Sequence, residues 1–266
     1  LEGDNGEFMD YLIKLNKKLL SYYLIVVFFI LWQVGPSLGW VDSQFIPSLS
    51  QVLDAAWTSI QKGELLIGIC ISLQRTFIGF VLAIIIGVPL GFILGGWLPR
   101  VSKFLSPLFS GLSQINALTL FPIFLVLFGI GEGVKVSIIF WAAFWPLMFT
   151  TISGIQQMDS LLIKAARSMN ADGVTIFFKV ILPGVSRSIF TGIKTGATMA
   201  FMMLIGAEVM GADSGLGWIV HNSQVNNTIP RLYSALITIA ILGLLINYFI
   251  EWLERNIITW KEEVPE

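Results

Sequence analysis

The stretch LLIKAARSMNADGVTIFFKVILP, residues 161–183, crowds Lys164, Arg167, Asp172 and Lys179 together in a chain whose charged residues amount to 12%. With Asp159 or Ser160 as N-cap, Leu161, Leu162, Ala165, Ala166 and Met169 recur along one helical face. Lys164, Arg167 and Ser168 turn away from that face, so the segment reads as a short amphipathic helix. NADG then breaks it: Asn170 and Asp172 suit turn positions, and Gly173 can take a positive φ without steric penalty. Val174 to Ile181, which include Thr175, Ile176, Phe177 and Phe178, begin a second short helix, and Leu182 and Pro183 close the unit. A helix–turn–helix hairpin of this size cannot bury both of its faces by itself. It must pack on neighbouring segments, on a partner protein, or on both.

Long apolar segments lie on either side of the hairpin, and the same pattern fills the 266-residue chain. Hydrophobic residues make up 55%, with a mean hydropathy of +0.80, well above what a surface facing water tolerates. The chain therefore reads as an all-α polytopic membrane protein, with the lipid bilayer as its solvent. About 20 mostly apolar helical residues cross a hydrocarbon core. Six windows qualify, at 19–34, 71–97, 105–130, 134–155, 188–210 and 233–253. Residues 1–18 form an N-terminal segment, 19–255 a single transmembrane domain with the hairpin at 159–183, and 256–266 a tail. Residues 1–8 precede Met9, are left open as an appended piece, and stay outside the functional reading. The window at 19–34 has the length of a signal-peptide core, but no convincing small-residue cleavage site follows, so it reads as a retained helix.

Basic residues then set the orientation. One side receives Lys14, Lys17, Lys18, Arg100, Lys103, Lys164, Arg167, Lys179, Arg187, Arg255 and Lys261; the other receives Lys62, Lys135 and Arg231. That bias, eleven against three, places both termini and the hairpin in the cytoplasm. Outside, residues 45–66 read as a helix on the membrane surface, capped by Ser48 or Ser50. The segment GADSGLGWIVHNSQVNNTIP, rich in turn formers, reads as an external loop that dips back toward the protein.

Several kinds of chemistry are missing. The net charge of −1 gives no bulk basicity for nucleic acid, and the single Cys70 cannot form an intrachain disulfide. There is no GxxxxGK[ST] phosphate loop; GIGEGVK at 129–135 lacks the lysine–hydroxyl pair and reads as a tight outer turn. His221 has no HExxH partner and no GxSxG elbow occurs, so neither a catalytic residue nor a metal ligand is assigned.

Five polar residues within the spans are costly in lipid and are candidates for the translocation pathway: Arg75, Gln114, Asn116, Lys194 and Glu208. Each has a structural reading beside the functional one. Arg75 and Lys194 lie near span ends, where snorkelling to the interface is the simpler reading. Gln114 and Asn116 suit interhelical hydrogen bonds or pathway lining equally. Glu208 reads more simply as an anchor for the outer loop than as a substrate ligand. Gly87, Gly91 and Gly95, like Gly192 and Gly196, recur every fourth residue and read as close-packing faces, and Pro89 is expected to add a kink.

KAARSMNADGVTIFFKVILP resembles the EAA loop of ATP-binding cassette importer permeases: Ala165, Ala166, Leu182 and Pro183 match, and Ala171 or Gly173 stands for the family's turn glycine. The segments FIPSLSQVL, SLQRTFIGFVLAIIIGVPLGFILG, LVLFGIGEGVKV and AEVMGADSGLGWIV extend the likeness over residues 45–255. They are similar to the subfamily serving nitrate, taurine, alkanesulfonates, bicarbonate and some thiamine precursors. The resemblance implies a type I importer permease fold with six transmembrane helices in a bacterial-type inner membrane. Its expected partners are a second permease copy, two ATPase subunits and an external substrate-binding protein. ATP and Mg would sit on the ATPase, with no cofactor on this chain, and the hairpin would supply the coupling helix. The function implied is ATP-driven import of a small, anionic solute. Two departures stand out: Lys164 occupies the family's glutamate position, and SQINALTLFP replaces a proline-rich RPIPPLAW-like segment. The alternative reading is an ATP-independent secondary transporter or channel whose hairpin caps the bundle.

Overall fold

A computed structural model describes residues 23–24, 26–40, 42 and 45–257, and among them every regular element is helical. The N-terminal segment 1–18, the start of the first expected span and most of the tail lie outside the described residues. In chain order the helices are α1 (Val26–Ser37), α2 (Leu49–Gln61), α3 (Glu64–Phe92), α4 (Pro99–Ser113) and α5 (Phe121–Phe128). They continue as α6 (Glu132–Gln157), α7 (Ser160–Ser168), α8 (Gly173–Ile176), α9 (Leu182–Gly211), α10 (Leu216–Val225) and α11 (Ile229–Ile257).

Four stretches are long and apolar enough to cross a membrane: Glu64–Trp97, Glu132–Gln157, Gly173–Gly211 and Ile229–Asn256. The chain is thus a multi-pass membrane protein, but the expected third span is not one straight helix. It is the pair α4 and α5, bent by 83° at a break. Asn116 causes the break locally. Its backbone is extended, and its Oδ1 accepts the Leu118 N–H at 2.9 Å, so it caps a 3₁₀ turn at Ala117–Leu120 instead of extending α4. Pro122, which has no N–H to donate, fits the first turn of α5. Six uniform spans therefore become four long helices, one broken pair and the short α1.

Three other expectations change. The α2 segment does not simply lie on the membrane: Val52 and Ser59 are buried and the helix packs on α11. Ser48 is its N-cap, with the Ser48 N–H donating to Gln51 Oε1 at 3.1 Å. The outer loop is largely the helix α10, which buries Leu216 and Ile219 against its neighbours. Pro183 does not close the hairpin; it occupies the first turn of α9, and helix runs from Gly173 to Gly211 through a π turn at Phe177–Ile181. The wider turn relieves the clash a proline ring would make with the carbonyl four residues back.

The core forms where α6 is pressed between α3 and α9, with Ala83, Ile139, Ala143, Leu147, Ala200, Phe201 and Leu204 buried together. Glycines permit this closeness. A methyl group at Gly91 would stand 2.6 Å from Thr151 Cβ, one at Gly79 would stand 2.7 Å from Ile139 Cγ2, and one at Gly154 would stand 2.5 Å from Ser188 Cβ. Those are distances at which backbones must part. Gly91→Ala should therefore destabilise the purified protein by about 1–3 kcal/mol and lower its thermal midpoint in detergent. Gly111→Ala, which meets nothing within 4 Å, should not lower it. Equal midpoints for the two variants would refute a helix contact set by α3 glycines.

Candidate functional site

At the end of α6 away from the hairpin, Arg75 of α3 reaches two carboxylates. Its Nε and Nη2 donate to the two oxygens of Glu132 at 2.5 and 2.7 Å, and Nη1 donates to Glu208 Oε1 at 2.8 Å. Nη1 also reaches the Ser214 carbonyl at 2.7 Å, and Nη2 reaches Ser214 Oγ at 3.0 Å. The planar guanidinium uses its fork on Glu132 and its far corner on Glu208, a pattern lysine could not reproduce. Arg75 is 3% exposed and Glu208 1%, so Arg75 does not snorkel; paired charge, not access to water, accommodates it at this depth.

Glu208 also orders the start of α10. Its Oε2 accepts the Gly217 N–H at 2.8 Å, while Ser72 Oγ lies 2.8 and 2.9 Å from its two oxygens and accepts the Leu216 N–H at 2.9 Å. A carboxylate at the positive end of a helix is favourably placed, and Gly215, at φ +108, brings the chain round to it. A methyl group at Gly217 would lie 2.6 Å from Glu208 Cβ, so the close approach requires glycine there. Lys194 stands apart from this cluster, on α9, with Nζ 2.5 Å from Glu251 Oε1 on α11.

Gln114 and Asn116, exposed at the α4 break, lie on a recess of about 430 Å3. Trp141, Trp145, Met199 and Met203 from α6 and α9 supply much of its remaining wall. Of the five intramembrane polar residues, the fold thus brings Arg75 and Glu208 together, brings Gln114 and Asn116 together, and leaves Lys194 with its own partner.

The hairpin lies at the opposite end of α6. Asp159 caps α7, its Oδ1 accepting the Leu161 N–H at 2.8 Å. The helix ends in a Schellman turn: the Asn170 N–H donates to the Arg167 carbonyl at 3.0 Å and the Ala171 N–H to the Ala166 carbonyl at 3.1 Å. Asn170 takes the left-handed conformation, at φ 58. Neither Ala171 nor Gly173 does so; Gly173 opens α8 behind Asp172 at the N-cap. Asparagine tolerates this backbone region best among residues with a side chain, and it stands directly after the last turn of α7. Asp172 is exposed, and the Thr175 hydroxyl beside it holds its carboxyl below the usual carboxylate range.

Ala166 and Ile176 are buried, and Phe177 meets Phe92 edge to face at 5.2 Å between ring centroids. Lys164, Ala165 and Gly173 are exposed, and Thr175, Leu182 and Pro183 are intermediate. Leu161, Leu162, Met169, Val174 and Phe178 are each more than half exposed. The hairpin anchors one edge on the bundle and presents an apolar surface outward.

Sequence reasoning missed Glu132, Ser72 and Ser214 as partners of the buried charges. The only signal for Glu132 was an acid in a glycine-flanked outer turn. It also missed Trp141, Trp145 and Phe149, although their four-residue spacing on α6 marks one helical face.

Residues 87–259 match the family described as binding-protein-dependent transport system inner membrane component. The chain is 31% identical over 246 residues to SsuC of Escherichia coli, named for aliphatic sulfonates transport, covering 92% of each chain. It is also 31% identical over 255 residues to the bicarbonate transport system permease protein CmpB of Synechococcus elongatus, covering 92% of this chain and 91% of that one. In fold it resembles inward-facing MetNI methionine ABC transporter, with a TM-score of 0.63 at 20% identity, over 75% of this chain and 96% of that one.

Removing one member of a buried ion pair costs about 3–5 kcal/mol because the other charge stays behind. Glu208→Ala should therefore lower the unfolding midpoint far more than Glu132→Ala, whose side chain is 60% exposed. Denaturation of the purified variants in one detergent measures this, and the reverse order would show that Glu208 is not the anchor of α10.

Proposed function

This chain belongs to the family of binding-protein-dependent transport system inner membrane components, the permease subunits of ABC importers, and on that premise we propose that it carries a small anionic solute into the cell. ATP hydrolysis in such importers belongs to partner ATPase subunits, and the chain itself is not an ATPase. In this reading two copies of the chain form the pathway, and an external binding protein delivers the solute. ATP and Mg2+ are held by the ATPases, and the hairpin and both termini face the cytoplasm, as the eleven-to-three basic bias supports. The relatives named for sulfonates and bicarbonate support an anionic cargo.

The observation that carries the proposal is the outward apolar face of the hairpin. Leu161, Leu162, Met169, Val174 and Phe178 are exposed along a hairpin whose turn is fixed by two backbone hydrogen bonds. Exposed apolar side chains along a hairpin with a fixed turn fit a protein-docking surface. From it, helix continues without interruption into α9. A push on the hairpin is therefore delivered along the helix that carries Met199 and Met203 to the recess.

Val174→Asp and Phe178→Asp test this surface. Both residues are exposed, so the permease should fold and insert normally, while its affinity for the ATPase falls about 30-fold, in line with ~2 kcal/mol for an interface anchor. Solute-stimulated ATP hydrolysis in reconstituted complexes should fall with it. Undiminished stimulation in both variants would refute the docking role. Ala166→Glu would not test the surface, because Ala166 is 5% exposed and a glutamate there would disturb the hairpin itself.

A further inference from the structure

Between α1 and the first turns of α11 lies a recess of about 410 Å3, apart from the hairpin and from the α4 break. Phe28, Leu31, Trp32 and Gly35 of α1 form much of its wall, with Ile46 and with Tyr233 of α11. It stands at the end of the bundle away from the hairpin, because α11 begins there, with Arg231 Nη2 donating to Glu64 Oε2 at the start of α3 at 2.9 Å. Hydrogen bonds tether α1 at that end. Trp32 Nε1 donates to the Pro47 carbonyl at 3.0 Å, and the Gln33 amide donates to Ser50 Oγ at 3.2 Å and accepts the Ser50 N–H at 3.0 Å. Further along the helix the packing is thin: Phe28 is 60% exposed and Leu31 55%.

Gly35 is buried, yet a methyl group added there would meet nothing within 4 Å. Protein side chains normally close such gaps to crystal-like density, and here they do not. Water is a poor filler. It needs several polar partners, and the polar side-chain atoms of this wall are spent, Trp32 Nε1 on the Pro47 carbonyl and the Tyr233 hydroxyl on the Phe45 carbonyl at 3.3 Å. Size excludes a second protein helix. The recess runs beside α1 from Phe28 to Pro36, ~12 Å at 1.5 Å per residue, and a helix ~10 Å across would need roughly 900 Å3 over that length. The same ~12 Å is close to one leaflet's share, ~15 Å, of a ~30 Å hydrocarbon core. Trp32 and Tyr233, with ring centroids 6.3 Å apart, are residue types that gather at the headgroup level.

We infer that this recess is a binding site for one acyl chain of a membrane phospholipid, which fills the gap between α1 and α11 and supplies the packing that protein side chains do not. An alkyl chain is slender and flexible enough for the space, carries no polar group that the wall would have to satisfy, and is the solvent on this side of the helix. Because it comes from an apolar medium, its gain on entering is contact with a fixed wall and not escape from water. The lipid then belongs to the packing of α1, which is tethered to the bundle by hydrogen bonds at one end. The inference holds whatever solute the chain carries, since it rests on the membrane placement alone.

The test uses the full chain in maltoside detergent, titrated with a phosphatidylcholine that carries a diazirine along one acyl chain; after illumination, labelled peptides are mapped by mass spectrometry. Labelling of the segments that hold Phe28 to Pro36 and Tyr233 should saturate as lipid is added. Around Phe77, which is 69% exposed on α3, it should rise in proportion to the lipid and not saturate. Gly35→Phe places a ring in the recess and should cut the saturable labelling about tenfold or more. Gly35→Ala leaves most of the space and should label like wild type; neither substitution meets a neighbour at its Cβ, so both variants should fold. Labelling at the recess that fails to saturate would mean lipid of the general annulus only and would overturn the site, as would undiminished labelling in Gly35→Phe. A third variant, Gly35→Cys with Cys70→Ser, checks the rival occupant. A disulfide between copies would seat a second chain at the recess and overturn the lipid, whereas a thiol that stays free beside saturable labelling supports it.

Discussion

Everything else in this bundle depends on α6 touching α3 and α9 at backbone distance. Between helices in lipid there is little hydrophobic drive, because the solvent is as apolar as the side chains, so close van der Waals contact has to hold them together. Gly79 and Gly91 on α3 admit Ile139 and Thr151 of α6 to within a methyl's reach, and Gly154 on α6 itself admits Ser188 of α9. Thr151 Oγ1 donates back to the Leu147 carbonyl at 2.7 Å, so the hydroxyl at the Gly91 approach is satisfied within its own helix. With α6 held on both sides, its remaining face is free to line the recess beside the α4 break.

The ends of this three-helix core are built on different physics. At one end Arg75 ties α3 to α6 through Glu132, and to α9 and α10 through Glu208 and Ser214. Directional charge-assisted bonds of that kind fix one arrangement of four helices where apolar packing alone would allow several. At the other end the hairpin is held by few buried side chains, chiefly Ala166 and Ile176, and its larger apolar residues face outward. One end is held by directional charge-assisted bonds and the other leaves its larger apolar side chains exposed.

The parts of the fold written in local pattern were legible in the sequence. Hydropathy windows found the long helices, and the amphipathic spacing of Leu161 to Met169 found α7 with its Asp159 cap. The four-residue glycine repeat announced the close helix faces. What escaped was decided by partners distant in the chain. Arg75 looked like a snorkelling residue because Glu132, 57 positions on, and Glu208, 133 positions on, could not be paired with it from spacing. The helix α10 was hidden in turn-forming residues because its N-terminus is satisfied by Glu208 and Ser72, which no local rule connects to Leu216. The α4 break is a different case: Asn116 and Pro122 carried the right local signal, and an averaged hydropathy window smoothed it away. At the hairpin, glycine's freedom to adopt positive φ did not mean that it was used, since Asn170 already stood at the position where the Schellman turn forms.

The continuity of α9 links the two ends quantitatively. Glu208 fixes one end of the helix and the hairpin continues from the other, so a rigid α9 pushed at the hairpin turns about its anchored end. At 1.5 Å rise per residue, Met199 lies ~14 Å from Glu208 and Leu182 ~39 Å. Displacement along such a lever grows with distance from the pivot, so a movement of ~3 Å at Leu182 becomes ~1 Å at Met199. The same rotation would carry Ser188, ~30 Å from Glu208, by ~2 Å, so the close Gly154–Ser188 contact has to yield before Met199 can shift. The rotation also leaves the Arg75 cluster nearly still, as buried charges that cannot be separated cheaply require. A lock near the pivot and a recess part-way along the arm are therefore compatible with each other, whereas a recess beside Glu208 would barely feel the hairpin move.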